Sequence, residues 1–434
     1  MQRLNPSDDD TMVYAILFIC LIIGVPVAFS IVAALMYFMA VGEFPYHLGI
    51  VATQMFGGIR SYPLLAIPLF ILAGELMNES GITSRIIAFA NVIVGRLRAG
   101  LALVNIWASV IFAGLSGSAV ADTSAIGRVF IPEMEKRGYP RAFSAAITAA
   151  SSVIGPIIPP SIPVIIYALI VTGVSVPGMF LGGVIPGVLL AIFLSVYVMV
   201  FASEYQKDEP DKSVRSKRKI LFQGIIPLLM PVFVVGSILF GVVTPTEAAS
   251  FAVAYALIVG LFLLREIKWT DLPRIFARSM HATAVIMIIM SAVGAANWLL
   301  IYNRIPNMIT DFALEFMTAK WMFLISSMVL FLFAGLFLEG IAAMLVLVPI
   351  LHPIAVSMGV DPTHFGILVV FNLMIGLITP PMGLCLFVAD SVANVGMAAL
   401  VRQIIPLFFV ELIVLIIITF FPVAVIGLPR LLGF

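Results

Sequence analysis

The sequence contains few charged residues for its length. Lysine and arginine number 23 and aspartate and glutamate 22 in 434 residues, so charged side chains make up only 10% of the chain. A soluble globular domain carries about 25%. The formal net charge is +1, without the basic excess with which proteins bind nucleic acid. The composition therefore excludes an ordinary water-soluble domain and indicates no nucleic-acid partner.

Cysteine and histidine are also scarce. Cys20 and Cys385 both lie in apolar runs, where a small buried side chain is a more common role than a disulfide or a metal ligand. The histidines show no metal-ligand spacing; they are His47, His281, His352 and His364. The sequence therefore gives no sign of a disulfide framework or of a histidine metal site.

Apolar residues, in contrast, make up 62% of the chain, and the mean hydropathy is +1.19. Apolar runs such as Met12–Val41, Ile220–Val243 and Val410–Ile426 are long enough to cross a hydrocarbon core about 30 Å thick. The first ten residues lack the basic start of a cleavable signal peptide, so we expect the first span to be retained. We predict an all-α, polytopic membrane protein.

One long polar segment interrupts these runs. Residues 203–219, "SEYQKDEPDKSVRSKRK", contain six lysines and arginines, which predicts a cytoplasmic loop that serves as a solvated connector. The acidic "DDD" before the first span favours a periplasmic N-terminus. The expected organisation is a first repeat over 1–202, a linker over 203–219 and a second repeat over 220–434.

The case for repeats comes from two proline clusters. "IGPIIPPS" (Ile154–Ser161) matches "IGLITPPM" (Ile375–Met382) at an offset of 221 residues, and Gly114-Leu115 matches Gly335-Leu336 at the same offset. A proline in a helix interior costs about 3 kcal/mol because it removes a backbone donor and clashes with the preceding turn. Two matched clusters therefore predict two structural repeats, each with a broken helix.

Paired breaks in two halves are typical of secondary transporters. Lipid supplies no hydrogen-bond partners, so irregular backbone at membrane depth persists only inside protein or beside a watery cavity. There, free carbonyl groups can bind a cation and free amide groups an anion. Proline kinks that serve only helix packing are the alternative.

A polar segment precedes the first cluster. "GLSGSAVADTSAIG" (Gly114–Gly127) combines small residues, which often mean tight helix packing, with Ser116, Ser118 and Asp122, and Arg128 follows directly. An ionisable pair such as Asp122 and Arg128 in an apolar region requires a partner or a function. Further acidic residues lie in or beside apolar runs, where capping or pairing is as good an explanation as substrate contact; they are Glu75, Glu247, Glu339, Asp390 and Glu411. Of these, Glu339 occupies the position of Ser118 in the second half.

These motifs resemble one family over essentially the whole chain. The motifs "GLSGSAVADTSAIG", "IGPIIPPSIP", "TPTEAA", "PLFILAGELM" and "IGLITPPMG" are similar to those of the large membrane (M) subunit of tripartite ATP-independent periplasmic (TRAP) transporters. The resemblance implies a sodium-driven importer of a small organic acid, such as a C4-dicarboxylate, a keto acid or a sugar acid. It also implies two inverted repeats, two re-entrant helical hairpins, and an elevator-type transport domain moving against a scaffold in the bacterial inner membrane.

The resemblance implies partners as well. We expect a small four-span membrane subunit as a separate polypeptide, and a periplasmic binding protein that delivers the substrate and sets most of its identity. The lipid bilayer is the remaining expected partner.

The resemblance further implies at least two Na⁺ sites, each where a hairpin tip meets the proline-rich break of its own half. The second-half site would comprise Gly335, Gly376, Thr379 and Met382, mostly through carbonyl groups. Its first-half counterpart would comprise Gly114, Gly155, Ile158 and Ser161. The substrate would lie between the two tips, in contact with Ser116, Ser118 and Asn372.

Two other classes of function are possible at this stage. "GLSG" (Gly114–Gly117) has the Gly-x-Ser-Gly form found at the nucleophile of rhomboid-type intramembrane proteases, with Ser116 as the nucleophile and His281 as a general base. The repeat would have no role in such chemistry. A passive channel would explain the matched breaks but not the likeness to carriers.

Overall fold

The computed structural model describes residues 12, 15–17, 19, 20, 23–41, 49–95, 97–203, 205, 217–317 and 319–434. Every extended regular element in this part of the chain is a helix, so the prediction of an all-α protein is confirmed. The α-helices are α1 (Val27–Val41), α2 (Gly49–Ile59), α3 (Ala66–Glu79), α4 (Ile82–Val94), α5 (Gly100–Ser116), α6 (Ala119–Lys136), α7 (Arg141–Ser152), α8 (Ile162–Ile170), α9 (Val176–Phe201), α10 (Lys217–Leu239), α11 (Pro245–Ile258), α12 (Leu272–Tyr302), α13 (Ile305–Phe316), α14 (Lys320–Phe337), α15 (Gly340–Ser357), α16 (Pro362–Gly376), α17 (Leu384–Ala393), α18 (Met397–Phe420) and α19 (Val423–Leu431).

Several of these helices are long and apolar enough to cross a membrane. Five meet that requirement individually, and the pair Gly49–Ile59 and Tyr62–Glu79, bent by 67°, adds a sixth candidate. The five are Val176–Phe201, Pro245–Leu263, Trp269–Tyr302, Gly340–Ser357 and Met397–Phe420. The apolar runs of the sequence therefore do form multiple membrane-spanning candidates.

Helix boundaries recur along the chain at the offset that the sequence indicates. The helices that begin at Ala119, Arg141 and Val176 have counterparts that begin at Gly340, Pro362 and Met397, each 221 residues later. In both halves a helix pair with a short break (α5 and α6, α14 and α15) precedes a helix that ends at a proline cluster. This regularity favours the prediction of two structural repeats.

The turn between α6 and α7, which we call the base of the first helix pair, lies at the C-terminal end of α9. Tyr205, four residues beyond that end, packs edge-on against Tyr139 and Phe143, with ring centroids 6.2 and 5.4 Å away. Tyr139 and Phe143 flank the turn between α6 and α7. Most of the predicted linker 203–219 lies outside the described residues, but its first residues are therefore close to this turn.

The base of the second helix pair lies at the other end of α9. Asp361, between α15 and α16, forms an ion pair with Arg430 of α19 at 3.2 Å. The chain then ends beside the first turn of α9, where a Cβ at Gly178 would lie 3.6 Å from Phe434. The turns that follow the two helix pairs thus lie near opposite ends of α9, an arrangement that favours the prediction of inverted repeats.

A buried polar network fixes the first helix pair to α7. Asn105 donates to the Thr148 hydroxyl at 2.7 Å, and Ser109 donates to the Ser151 hydroxyl at 2.9 Å. Small alanine and serine residues along α7 allow α5 to approach closely enough for these bonds to form. The network holds the break between α5 and α6 in a defined position.

Candidate functional site

The first tip is the two-residue break between α5 and α6. Gly117 has φ of 59°, the left-handed conformation that commonly ends a helix. Glycine adopts this conformation without strain because it has no Cβ. Ser118 then caps α6, its hydroxyl oxygen accepting from the Ala121 amide at 3.4 Å. The local sequence "SGS" thus ends one helix and begins the next within two residues, leaving the amide end of α6 at the tip.

Asp122, in the first turn of α6, is completely buried. Its Oδ1 accepts a hydrogen bond from the Ser116 hydroxyl, while Oδ2 has no hydrogen-bond partner among the described residues. A methyl group at Gly155 would overlap Oδ2, so this carboxylate faces the first proline-rich break directly. The suggested pairing with Arg128 does not form, because Arg128 lies exposed on α6. Asp122 therefore presents a free carboxylate oxygen to the place where the first-half sodium site is predicted.

The first break extends between α7 and α8. Pro159 and Pro160 lack amide hydrogens, so the carbonyl groups of Gly155 and Pro156 cannot receive the usual helical bond from four residues later. The Ser161 hydroxyl instead donates to the Pro156 carbonyl and accepts from the Val164 amide at 3.3 Å, which begins α8. The prolines therefore open the backbone, as the sequence indicates.

The second tip lies between α14 and α15 and uses a different cap. The side chain of Glu339 accepts from the Ala342 amide at 3.1 Å, in the position that Ser118 occupies in the first half. Gly335, near the end of α14, meets Gly376 closely: a Cβ added at Gly376 would lie 2.8 Å from the Gly335 Cα. Gly335 and Gly376, both predicted ligands of the second-half sodium site, therefore lie in contact, and their role as ligands stays a prediction.

The second break, between α16 and α17, repeats the first with different side chains. The Thr379 hydroxyl donates to the Ile375 carbonyl at 2.7 Å, and the Thr379 amide donates to the Gly376 carbonyl at 3.1 Å. The Leu377 carbonyl accepts from the Cys385 amide at 3.0 Å. Met382 is 49% exposed at the edge of this break. No buried carboxylate corresponds to Asp122, because Ala343 stands at the matching position.

A cavity of about 650 Å³ lies between the two tips. Residues of both tips and both breaks line one side, and residues of α1, α3 and α12 line the other. Its polar lining residues are Glu75, Asn78, Ser116, Ser118 and Glu339, and none of the described lining residues is lysine or arginine. Pockets of this size, apolar with a few polar groups, are typical of small-molecule sites.

The predicted substrate contacts divide into two groups. Ser116 and Ser118 line the cavity, as expected. Asn372 does not: it is 1% exposed inside α16, its Nδ2 donates to the Leu368 carbonyl at 2.7 Å, and its Oδ1 has no partner among the described residues. Its role in substrate binding stays a prediction.

The other predicted first-half ligands lie close to the break. A Cβ at Gly114 would be 3.8 Å from the Pro159 carbonyl oxygen, and the Ile158 side chain packs on Gly187 of α9. Asp122, which is not in the predicted ligand set, faces the same break. Its position three residues after the helix start at Ala119 places it in the first turn, a signal available from the sequence.

The sequence does not predict that α1, α3 and α12 line the cavity. Asn78 and Glu75 of α3 line the cavity. There α3 approaches the end of α5 closely, since a Cβ at Gly74 would lie 3.3 Å from the Ser116 carbonyl oxygen. Glu75 is one of the acidic residues for which the sequence left the role open. Nothing in the local sequence of α3 indicates which hairpin it meets.

Comparison with known proteins matches this architecture over nearly the whole chain. The family model described as the DctM component of the tripartite ATP-independent periplasmic transporter matches residues 14–424. The sialic acid TRAP transporter large permease protein of Vibrio cholerae is 38% identical over 94% of this chain and 95% of its own. The C4-dicarboxylate TRAP transporter large permease protein of Pseudomonas aeruginosa is 37% identical over 88% and 90%. Among solved structures, the Alcanivorax borkumensis YdaH transporter shares the fold, with a TM-score of 0.62 at 14% identity over 86% of this chain and 88% of its own.

Proposed function

Because this chain belongs to the DctM component family of tripartite ATP-independent periplasmic transporters, we propose that it imports a small organic acid anion together with Na⁺ by an elevator mechanism. Its relatives are transporter permeases, which are not enzymes, and the family and the apolar helices make it a multi-pass inner membrane protein. The cavity between two capped tips is the observation that supports the proposal most directly.

The protease alternative has no geometric support. The Ser116 hydroxyl donates to Asp122, and His281 is exposed on α12. A nucleophilic serine requires a base within hydrogen-bond reach, and His281 is not among the partners of Ser116.

The substrate would bind in the cavity between the tips. The amide ends of α6 and α15 lie there with the Ser118 hydroxyl group, and these donors suit a carboxylate. Ser116 also lines the cavity, but its hydroxyl hydrogen is donated to Asp122. Glu75 and Glu339 would repel the same anion, and no described lining residue supplies a positive charge. Bound cations would offset that repulsion, which is the physical reason for coupling the acid to Na⁺.

The first-half sodium site would contain the predicted carbonyl groups and Asp122. Na⁺ is a hard cation that prefers oxygen ligands, and a buried carboxylate oxygen without a partner is such a ligand. The Gly155 carbonyl group, which Pro159 leaves without the usual helical amide donor, would add a neutral oxygen at the same place. The residues present therefore fit a monovalent cation.

The second-half site would rely on neutral oxygens. Thr379 donates its hydroxyl hydrogen to Ile375, so the lone pairs of the hydroxyl oxygen stay available to a cation. Gly335, Gly376 and Met382 would add carbonyl groups, as predicted. The two sites would thus differ by one formal charge.

The elevator would move the two hairpins and the broken helices as one body against α1–α4 and α10–α12. The cavity lies along that boundary. A substrate bound there would be exposed to one side of the membrane and then to the other as the body moves.

The partners follow from the same membership. The proposed complex contains a small membrane subunit and a periplasmic binding protein. The carried acid belongs to the class that includes sialic acid and C4-dicarboxylates, which the names of the two relatives state.

The deciding experiment measures uptake in proteoliposomes that contain the complex of both membrane subunits, with the loaded binding protein outside. With an inward Na⁺ gradient we expect saturable uptake that requires the binding protein. Replacing Na⁺ by K⁺ at equal ionic strength should abolish it. Undiminished uptake in K⁺ would contradict sodium coupling, and uptake without the binding protein would favour a channel.

A further inference from the structure

Glu411 is a buried acidic residue for which neither the cavity nor the proposed sodium sites provides a role. It lies in the middle of α18 and is 0% exposed. Neither of its carboxyl oxygens has a hydrogen-bond partner among the described residues. Its neighbours on the same helix face, Leu407, Val414 and Leu415, are also fully buried and apolar.

The helices packed against α18 do not neutralise this group. α18 contacts α7, α9, α16, α17 and α19. The titratable and charged residues on α18 itself and on these helices are Arg402, Arg141, Tyr197, His364, Cys385, Asp390 and Arg430.

Most of these residues are engaged elsewhere. Arg141 bonds to Glu135 and to the Ala393 carbonyl, and Arg430 pairs with Asp361. Asp390 accepts from the amides of Val395 and Gly396, His364 contacts the Ile418 carbonyl at 2.8 Å, and Tyr197 packs on Phe201. Arg402 forms no described ion pair with Glu411 and lies nine residues earlier on the same helix.

The remaining titratable group on these helices is Cys385 of α17, which is fully buried. A thiol offers no positive charge with which a carboxylate could pair. None of the titratable groups packed around α18 therefore forms a described ion pair with Glu411.

An ionised carboxylate in these surroundings would be expensive. Burying an unpaired charge away from water is strongly unfavourable, and the group takes up a proton instead. A sodium ion needs several oxygen ligands, and the residues that share the buried face of α18 with Glu411 are apolar. Asp122, in contrast, faces the proline-rich break at Gly155. The surroundings of Glu411 favour a neutral acid.

We propose that the Glu411 carboxyl group is a proton-binding site inside the transport body, and that its proton exchanges with water during the transport cycle. The proton binds to one carboxyl oxygen of Glu411, which becomes a neutral acid, and it returns to water in the state of the cycle in which the packing around α18 loosens and water reaches the residue. Neither step involves a redox change. The flux measurement below rests on the proposed transport function, whereas the spectroscopic measurement does not.

The first test is infrared spectroscopy of the full membrane complex at pH 7. We compare the native chain with Glu411→Gln, which keeps the shape of the side chain and cannot ionise. The control is Glu133→Gln on the exposed end of α6, where Glu133 pairs with Lys136 and Arg137. We expect the native-minus-E411Q difference spectrum to contain the C=O band of a neutral carboxylic acid. The native-minus-E133Q difference spectrum should contain the bands of an ionised carboxylate instead. Carboxylate bands in the E411Q difference would overturn the proposal.

The second test measures proton movement with a pH-sensitive dye inside the proteoliposomes. The native complex should acidify or alkalise the lumen when substrate and Na⁺ enter. Its uptake should also depend on pH, falling about tenfold per pH unit beyond the midpoint if one bound proton is required. E411Q should retain Na⁺-dependent uptake with a pH dependence of less than about twofold over the same range, and should abolish the proton signal.

The outcomes separate the two proposals. Na⁺-dependent uptake without proton movement in the native complex overturns the proton site and leaves the proposed function intact. A native proton signal in E411Q likewise overturns the proton site and leaves the proposed function intact. Uptake that does not require Na⁺ contradicts the proposed function, while the infrared result still decides the state of Glu411. If little E411Q protein is found in the membrane, the protonation state of Glu411 is decided by infrared spectra of the native complex alone. These are recorded at two pH values, one below and one above the midpoint of the pH dependence of uptake.

Discussion

At the residue scale, the two proposed sodium sites differ in one side chain each. Asp122 brings a buried carboxylate to the first break, where its Oδ2 has no described partner. The matching position in the second half is Ala343, and Thr379 supplies only a hydroxyl oxygen there. A charged ligand holds a cation more strongly than a neutral one in a low-dielectric site. The first site should therefore contribute more of the Na⁺ affinity.

This difference gives a prediction for Asp122→Asn. The variant keeps the shape and the contact with Ser116 but removes the charge that faces Gly155. We expect the Na⁺ concentration for half-maximal uptake to rise roughly 10- to 100-fold, the equivalent of about 1.5–3 kcal/mol for losing an interaction with a charged group. Uptake assayed over a series of Na⁺ concentrations measures this shift, with Glu133→Gln as the control. If the Na⁺ concentration for half-maximal uptake is unchanged in this variant, Asp122 is not a ligand of the proposed first sodium site.

The residue scale also shows which assignments the sequence could support. Ser116 and Ser118 line the cavity because a break within "SGS" places its own residues at the tip. Asn372 lies within a regular helix, and which side of α16 faces the cavity depends on how the helix packs. The sequence placed this residue near the second break but could not establish its orientation.

At the element scale, the contact between Gly335 and Gly376 joins the second hairpin to its broken helix. A Cβ added at Gly376 would lie 2.8, 3.0 and 3.1 Å from the Gly335 Cα, C and O atoms, and backbone atoms cannot rotate away. Each added methyl in such a contact costs about 1–3 kcal/mol through displaced backbone. The close approach of the two glycines thus holds the proposed second site together.

Gly376→Ala should therefore separate the second tip from its break. We expect uptake at limiting Na⁺ to fall at least tenfold while the amount of protein in the membrane stays within about twofold, since the cost is local. The matched control is Gly236→Ala in α10, where an added Cβ meets no atom within 4 Å. Equal uptake in the two variants would contradict a role for this contact in transport.

At the scale of the whole molecule, the proposed elevator requires α10 to slide against α5. The two helices touch where a Cβ at Gly114 would lie 2.6 Å from the Pro231 Cβ. Within the proposed scaffold, α10 also touches α4, where a Cβ at Gly224 would lie 2.8 Å from the Phe89 Cβ. These distances are close enough for both pairs to be linked through cysteines after small adjustments. The two contacts form a matched pair across and within the proposed scaffold.

Cross-linking should have different effects on the contact of α10 with α5 and on the contact of α10 with α4. We expect a disulfide between Gly114→Cys and Pro231→Cys to arrest uptake, and reduction to restore it to the level of Gly114→Cys alone. A disulfide between Gly224→Cys and Phe89→Cys should leave uptake nearly unchanged. Uptake that continues with the first pair fully cross-linked, as judged by gel mobility, would show that α10 and α5 do not move apart.

The sequence by itself determined the helical class, the membrane location and the places where helices break. Hydrophobic runs, prolines without amide hydrogens and the glycine at position 117 act on their own or adjacent turns, so their effects are readable locally. The 221-residue offset likewise survives in the helix boundaries.

Only the tertiary structure decided what faces these breaks. Asp122 faces Gly155, α3 and α12 line the cavity, and Glu411 lies buried without a described partner. Each of these facts depends on how helices from different parts of the chain pack together. Helix periodicity shows that a face is buried, but the rotation and depth at which two helices pack are settled by the fit of all their side chains together.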